Sequence, residues 1–153
     1  MSSIPARIPA FRPATNADWR AIEALLDDAR LPLDGAQEHL HSFLVGDLDG
    51  AIVCAGALEH YGETALLRSV VVAACQRGAG TGGLLFEALN ELAMSRGIGK
   101  LYLLTTTATA FFARRGFTES TRDEVPAALH ASREFQGACP ASATLMSLSL
   151  ATD

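Results

Sequence analysis

Residues 66–97 read LLRSVVVAACQRGAGTGGLLFEALNELAMSRG. Residues 66–72 are leucine and valine apart from Arg68 and Ser69, which predicts a strand. Gly78, Gly80, Gly82 and Gly83 then fall within six residues. After them Leu84, Leu85, Ala88, Leu89, Leu92 and Ala93 recur at helical spacing, while Glu87, Asn90, Glu91 and Ser95 lie elsewhere on the helix. Gly97 is placed to close that helix in the left-handed conformation. Strand, glycine turn and helix start together suit a phosphate group. Main-chain N–H groups point outward at a helix start, the macrodipole favours an anion, and glycine allows close approach.

On the N-terminal side, residues 7–12 read as a first strand closed by Pro13. Thr15 or Asn16 can cap a helix bearing Trp19, Ile22, Leu25 and Leu26, which ends near Arg30, before Leu31-Pro32. Residues 36–41 predict a second short helix. The period then changes. Residues 43–72 predict three strands, punctuated by Asp49-Gly50 and Tyr61-Gly62-Glu63, hence an antiparallel meander. On the C-terminal side, LYLLTT is a buried strand, parallel to the one before the glycines because a helix separates them. ATAFFARRG predicts a short helix ending at Gly116. An extra strand around residues 117–121 is open, Pro126 can start a short helix through Phe135, and SATLMSLSL is a final strand. The expectation is one α/β domain over residues 1–153, with a mixed sheet.

Composition narrows the partners. The chain has 153 residues, 49% apolar and 19% charged, with a formal net charge of −5. No basic-aromatic patch is present, so nucleic acid is not an expected partner. The N-terminal stretch lacks the apolar core of a secretory signal, and no apolar run reaches the ~20 residues of a membrane span. Cys54, Cys75 and Cys139 show no C-x-x-C spacing, which fits reduced thiols in a cytoplasmic protein rather than a zinc or disulfide framework. His39, His41 and His60 have no supporting ligand spacing, so no metal site is expected.

Two phosphate-binding readings fail. A P-loop needs Lys followed by Ser or Thr after its last glycine, whereas Leu84-Leu85 follow Gly83. Gly78, Gly80 and Gly83 satisfy G-x-G-x-x-G. A dinucleotide fold, however, places an acidic residue roughly 20 residues on, where this chain has Thr105-Thr106-Thr107.

Arg77 to Gly82 have the form R-x-x-G-x-G. With the flanking strand and helix, the element order and the later FFARRGF, the chain resembles the GNAT family of N-acetyltransferases from about residue 7 to residue 150. FFARRGF is similar to that family's F-Y-x-K-x-G-F segment. EHYGETALLRSVVV, LYLLTTTATAFFARRGF and VPAALHASREFQGACPASATLM further resemble the branch associated with bacterial arsenic-resistance operons. The resemblance implies acetyl-CoA as co-substrate, a small-molecule amine as acceptor, and a meander followed by a splayed parallel pair with a central helix. It leaves a homodimer open.

Residue by residue, the resemblance implies that Val70, Val71 and Val72 pair with the pantetheine arm as an added strand would. Arg77, Gly78, Ala79, Gly80, Thr81, Gly82 and Gly83 hold the pyrophosphate, and Phe112 lies beside the thioester. The amine attacks directly, so a base or a water chain must take its proton. Glu59 is the candidate catalytic base. Arg68, interrupting an apolar strand, either makes a structural ion pair or clamps an anionic group of the acceptor. Arg133 is a second candidate for that anion. Two departures from the family pattern stand out. Phe112 occupies the position of the usual tyrosine, so Tyr61, a threonine of the 105–107 run, or water must protonate the leaving thiolate. The usual asparagine before that helix is also absent. Phosphinothricin-like or arsenic-containing amino acids are the acceptors the resemblance suggests.

Overall fold

A computed structural model of the chain describes residues 8–138 and 142–150. The expected start of the first strand at Arg7, and Cys139 with the residues beside it, lie outside the described residues. The order of elements is β1 (Ala10–Pro13), α1 (Trp19–Asp28), β2 (Phe43–Leu48), β3 (Ala51–Tyr61), β4 (Thr64–Val72), α2 (Thr81–Ser95), β5 (Lys100–Thr105), α3 (Thr109–Ala113), β6 (Thr118–Glu119) and β7 (Thr144–Ser149). The seven strands form one sheet in the order β1-β2-β3-β4-β5-β7-β6.

The meander is antiparallel from β1 through β4, as the turn residues predict. Asp49 (φ 53°) and Gly50 (φ 91°) both take the left-handed region that a two-residue hairpin turn requires. Pro13 pairs within β1 at the sheet edge, where a missing N–H is tolerated. The second short helix is a 3-10 segment, Gln37–Ser42. The first helix begins after a 3-10 turn, Asn16–Asp18, in which Asp18 accepts from the Thr15 N–H at 2.7 Å. Asp18 also accepts from Arg12 at 2.7 Å, and that hydrogen bond above all holds its carboxyl down to about 2 despite partial burial. The tail from Pro126 to Phe135 is not one helix. It divides into a 3-10 turn, Ala127–Ala131, and a second irregular turn, Glu134–Ala138.

Both faces of the sheet are covered. Leu85, Phe86, Leu89 and Ala93 of α2 pack with Phe112 and Phe117 against Leu58, Leu67, Leu101 and Leu103. Ile22 and Leu26 of α1 pack with Leu40 and Phe43 against Val45, Ala55, Ala57 and Val71 on the other face. Val125 and Leu129 from the tail cover Leu66, Tyr102 and Leu145. The approach of α2 explains Gly56. A Cβ there would lie 2.6 Å from a Leu89 methyl.

Two irregularities open the sheet. First, β4 and β5 pair in parallel only at Thr64–Lys100, Ala65–Leu101 and Leu66–Tyr102. Beyond Leu66 the strands part, while β5 continues to pair with β7 up to Thr105. Second, β4 bulges where it passes Gly56. Ala57 pairs with Arg68 and Ala55 with Val71, leaving Ser69 and Val70 opposite one residue, with Ser69 at φ 58°. A bulge shifts the alternation by one residue. Leu67 and Val70 therefore both pack towards α2, while Val71 packs towards α1.

Candidate active site

The parting strands line a cleft of about 740 Å³. One wall is residues 67–72 of β4, the other residues 103–108 after the sheet divides. Residues 28–32 close it from the α1 side, with Arg77, Phe112, Glu134 and Ala143 completing the lining. The β5-facing edge of β4 beyond Leu66 has no strand partner among the described residues. A sheet edge with free main-chain donors and acceptors can take an extended ligand as an extra strand.

At one end of this edge sits the glycine loop. Gly78 and Gly80 both have φ 82°, and Gly80 is the residue from which α2 starts. A Cβ at either would meet nothing within 4 Å, so these two glycines serve backbone conformation and leave the space in front of the helix start open. Gly82 and Gly83 answer to packing instead. A Cβ on Gly82 would lie 3.2 Å from the Phe111 ring, and one on Gly83 would lie 2.9 Å from the Arg115 guanidinium. Thr81 is buried and its hydroxyl donates to Gln76 Oε1 at 3.1 Å, which fixes the first turn. Arg77 is exposed at the loop's start and donates to the Val72 carbonyl at 3.3 Å.

The middle of the cleft is charged. Arg68 is fully buried, with its side chain 0% exposed. Its Nη1 donates to Glu59 Oε2 at 2.9 Å, its Nη2 to the Pro32 carbonyl at 3.3 Å, and its Nε to Ser69 Oγ at 3.0 Å. Glu134 Oε2 lies 3.5 Å from the same Nε. One guanidinium thus lies between two carboxylates. Glu59 is 0% exposed, accepts from the Tyr61 hydroxyl at 2.5 Å, and has His39 Nε2 3.7 Å away. Burial pushes the Glu59 carboxyl up. Hydrogen bonds from Tyr61, Arg68 and Ser132, with the nearby His39, outweigh it and leave the carboxyl below its ordinary value. Burial and the same contact with Glu59 push the Tyr61 hydroxyl well above its ordinary range.

The structure therefore brings Val70, Val71, Val72, Arg77, Arg68 and Phe112 to one cleft, with the glycine loop at its end. Phe112 is 6% exposed and stacks edge-on with Phe111 and Phe117, so it serves the core as well as the wall. Glu59 lies one residue behind the lining, reached through Arg68. Tyr61 is absent from the wall, whereas Thr105, Thr106 and Thr107 are part of it. Arg133 points elsewhere, 3.4 Å from Glu38 on the surface, and is 55% exposed. Its neighbour Glu134 is the one that reaches the cleft. Sequence reasoning also missed Arg30, an exposed cation on the lining at φ 57°. The leucine-proline pair beyond it marked the helix end but not the side-chain direction.

Comparison with known proteins agrees with this geometry. Residues 39–119 match the model of the acetyltransferase (GNAT) domain. Amino-acid acetyltransferase of Actinobacillus pleuropneumoniae serotype 3 is 33% identical over 89 residues, which is 57% of this chain and 20% of that protein. The same-named protein of Pasteurella multocida is 28% identical over 128 residues, 82% of this chain and 27% of that one. The chain thus spans about a fifth to a quarter of the length of these relatives. Among solved structures, Rv2747 from Mycobacterium tuberculosis, determined in complex with CoA, superposes with a TM-score of 0.77 at 27% identity, over 94% of this chain and 100% of that one. N-acetylglutamate synthase from Neisseria gonorrhoeae, complexed with CoA and N-acetyl-glutamate, gives a TM-score of 0.81 at 21% identity, over 99% and 36% respectively, a likeness of fold. With its split parallel pair, its glycine loop at a helix start and the matching domain model over more than half its length, this chain belongs to the GNAT family of N-acetyltransferases.

Proposed function

We propose that the chain transfers acetyl from acetyl-CoA to the amine of a small, amino-acid-like acceptor carrying an acidic group. The observation that carries this reading is the junction of an unpaired β4 edge with a glycine loop at the start of α2, both opening on one cleft. The CoA complex of the Mycobacterium tuberculosis relative supports the co-substrate, and the names of the curated relatives support an amino-acid acceptor.

In this reading the main chain of Val70, Val71 and Val72 takes the pantetheine arm. The residues from Arg77 to Gly83 take the pyrophosphate on their N–H groups, with Arg77 as counter-charge. Phe112 shields the thioester from water. A main-chain N–H near Val70 or Val71 stabilises the developing oxyanion. Transfer is direct, driven by holding amine and thioester together, with no acyl-enzyme. The acceptor's acidic group is received by Arg68 in the wall and Arg30 at the rim. Arg133 would have to leave Glu38 to join them. Glu59, behind the lining, holds Arg68 in place and would reach the amine only through a bridging water. Thr105, Thr106, Thr107 or water protonates the thiolate in the place of the missing tyrosine.

Glutamate-like amino acids, phosphinothricin and arsinothricin are the first acceptors to screen. Saturable, amine-dependent release of thiol from acetyl-CoA is expected with at least one of them. A second reading is a sensor that binds acetyl-CoA without turnover, favoured by Phe112 standing in the core where the proton donor would be. Tight acetyl-CoA binding with no thiol release across the screen would select it.

A further inference from the structure

We propose that Glu134 receives the acceptor's ammonium group and takes its proton. The inference rests on the reading of the cleft as an acetyl-transfer site. It deepens that reading by naming the base.

Three observations lead to it. Glu134 lines the cleft together with residues 68–72 and 105–107, where amine and thioester would meet, while Glu59 does not. The residue is 4% exposed, and its position is fixed from two sides. Its N–H donates to Ser132 Oγ at 3.2 Å, and its Oε2 lies 3.5 Å from Arg68 Nε. Buried, held groups keep their aim, which general-base catalysis requires.

Charge supplies the third. Arg68 from β4 stands between Glu134 and Glu59, while Tyr61 from β3 and His39 from the 3-10 segment before β2 face Glu59. Arg133, next in sequence, faces outward to Glu38. Among these, one fixed cation serves two carboxylates. An ammonium is attracted to the Glu134 carboxylate, while the acceptor's acidic group goes to Arg68 and Arg30.

The step balances as follows. The ammonium gives one proton to the Glu134 carboxylate and becomes a free amine. Its nitrogen forms a bond to the acetyl carbonyl carbon, the carbon–sulfur bond breaks, and the thiolate leaves with the second nitrogen proton. Glu134 returns its proton to solvent. Ammonium and thioester become amide, thiol and one released proton.

The test uses the full chain and an amine that the wild type acetylates, with kcat/KM for that amine followed across pH. Glu134→Gln is expected to lose about 100-fold or more at neutral pH, with the KM for acetyl-CoA within about twofold. Its rate should recover as pH approaches the amine's own pKa, because only free amine can then react. Loss of packing alone would not move the profile. Activity within about threefold of wild type and an unmoved acid limb would overturn the assignment. If Glu134→Gln does not fold, Glu134→Asp carries the test, because it keeps the charge but withdraws it by one methylene. A kcat lowered about tenfold or more with the acid limb retained supports the proposal, and an unchanged kcat overturns it. A wild-type chain that binds acetyl-CoA but releases no thiol with any amine overturns the acetyl-transfer reading and this one with it. An active wild type beside an active Glu134→Gln overturns this one alone.

Discussion

The two parts of the cleft are built on opposite principles. The glycine loop offers main chain and space. Gly78 and Gly80 project nothing into the region before α2, and residues 77–80 are exposed. The middle of the cleft offers side chains already engaged, Arg68 with Glu134 in the lining and with Glu59 behind it. In the proposed reading the backbone cradle takes what is common to every reaction cycle, a pyrophosphate. A buried set of paired charges distinguishes one acceptor from another, because each newcomer must fit an existing balance.

Breaking each part should have a different signature. The largest effect is expected from Arg68→Ala, which leaves two buried carboxylates without their shared cation. About 3–5 kcal/mol of stability should be lost in urea unfolding. Gly80→Glu should spare the fold but lower CoA affinity by about 100-fold or more in a binding titration. Repulsion between two anions sets that loss, while left-handed strain of about 1–2 kcal/mol falls on stability. Glu59→Gln should cost about 1–3 kcal/mol at neutral pH. Because folding lowers the Glu59 pKa, its contribution is complete above the ordinary value of 4.5 and fades as pH falls through the lower folded value. The gap between wild type and Glu59→Gln should therefore narrow in acid unfolding experiments. Gly56→Ala should cost about 1–3 kcal/mol by pressing α2 off the sheet, with a visible fall in melting temperature. Arg133→Ala should change stability by less than about 0.5 kcal/mol, since its pair with Glu38 is solvated. A large loss of turnover in that variant would return Arg133 to the acceptor site.

The same contrast governs what could be read from the sequence. The loop is local. Its glycines, the strand before and the striped helix after are contiguous, so spacing and period suffice. The meander was legible from Asp49-Gly50 and Gly62 for the same reason. The Glu59–Arg68 pair is implicit in the same hairpin. The turn at Gly62 sets Tyr61 against Thr64 and Glu59 against Leu66, which puts Glu59 and Arg68 on one face two residues apart. Glu134 was beyond reach. Its segment has neither helical nor strand period, so nothing in the spacing says that Glu134 turns inward and Arg133 outward. The bulge at Ser69 was hidden too, because serine carries no mark of a left-handed residue. The expected helix from Pro126 to Phe135 divides because Ser132, with ψ 140°, is extended between its two turns.

The central proposal is that this cleft transfers acetyl from acetyl-CoA to an amino-acid amine. Incubating the chain with acetyl-CoA labelled in the acetyl group and a panel of small amino acids, then identifying the labelled products by mass spectrometry, tests it most directly. The label should appear as an N-acetyl group on at least one amino acid, in step with thiol release. Label found only in free acetate, or remaining in acetyl-CoA while the chain binds it tightly, would contradict the account.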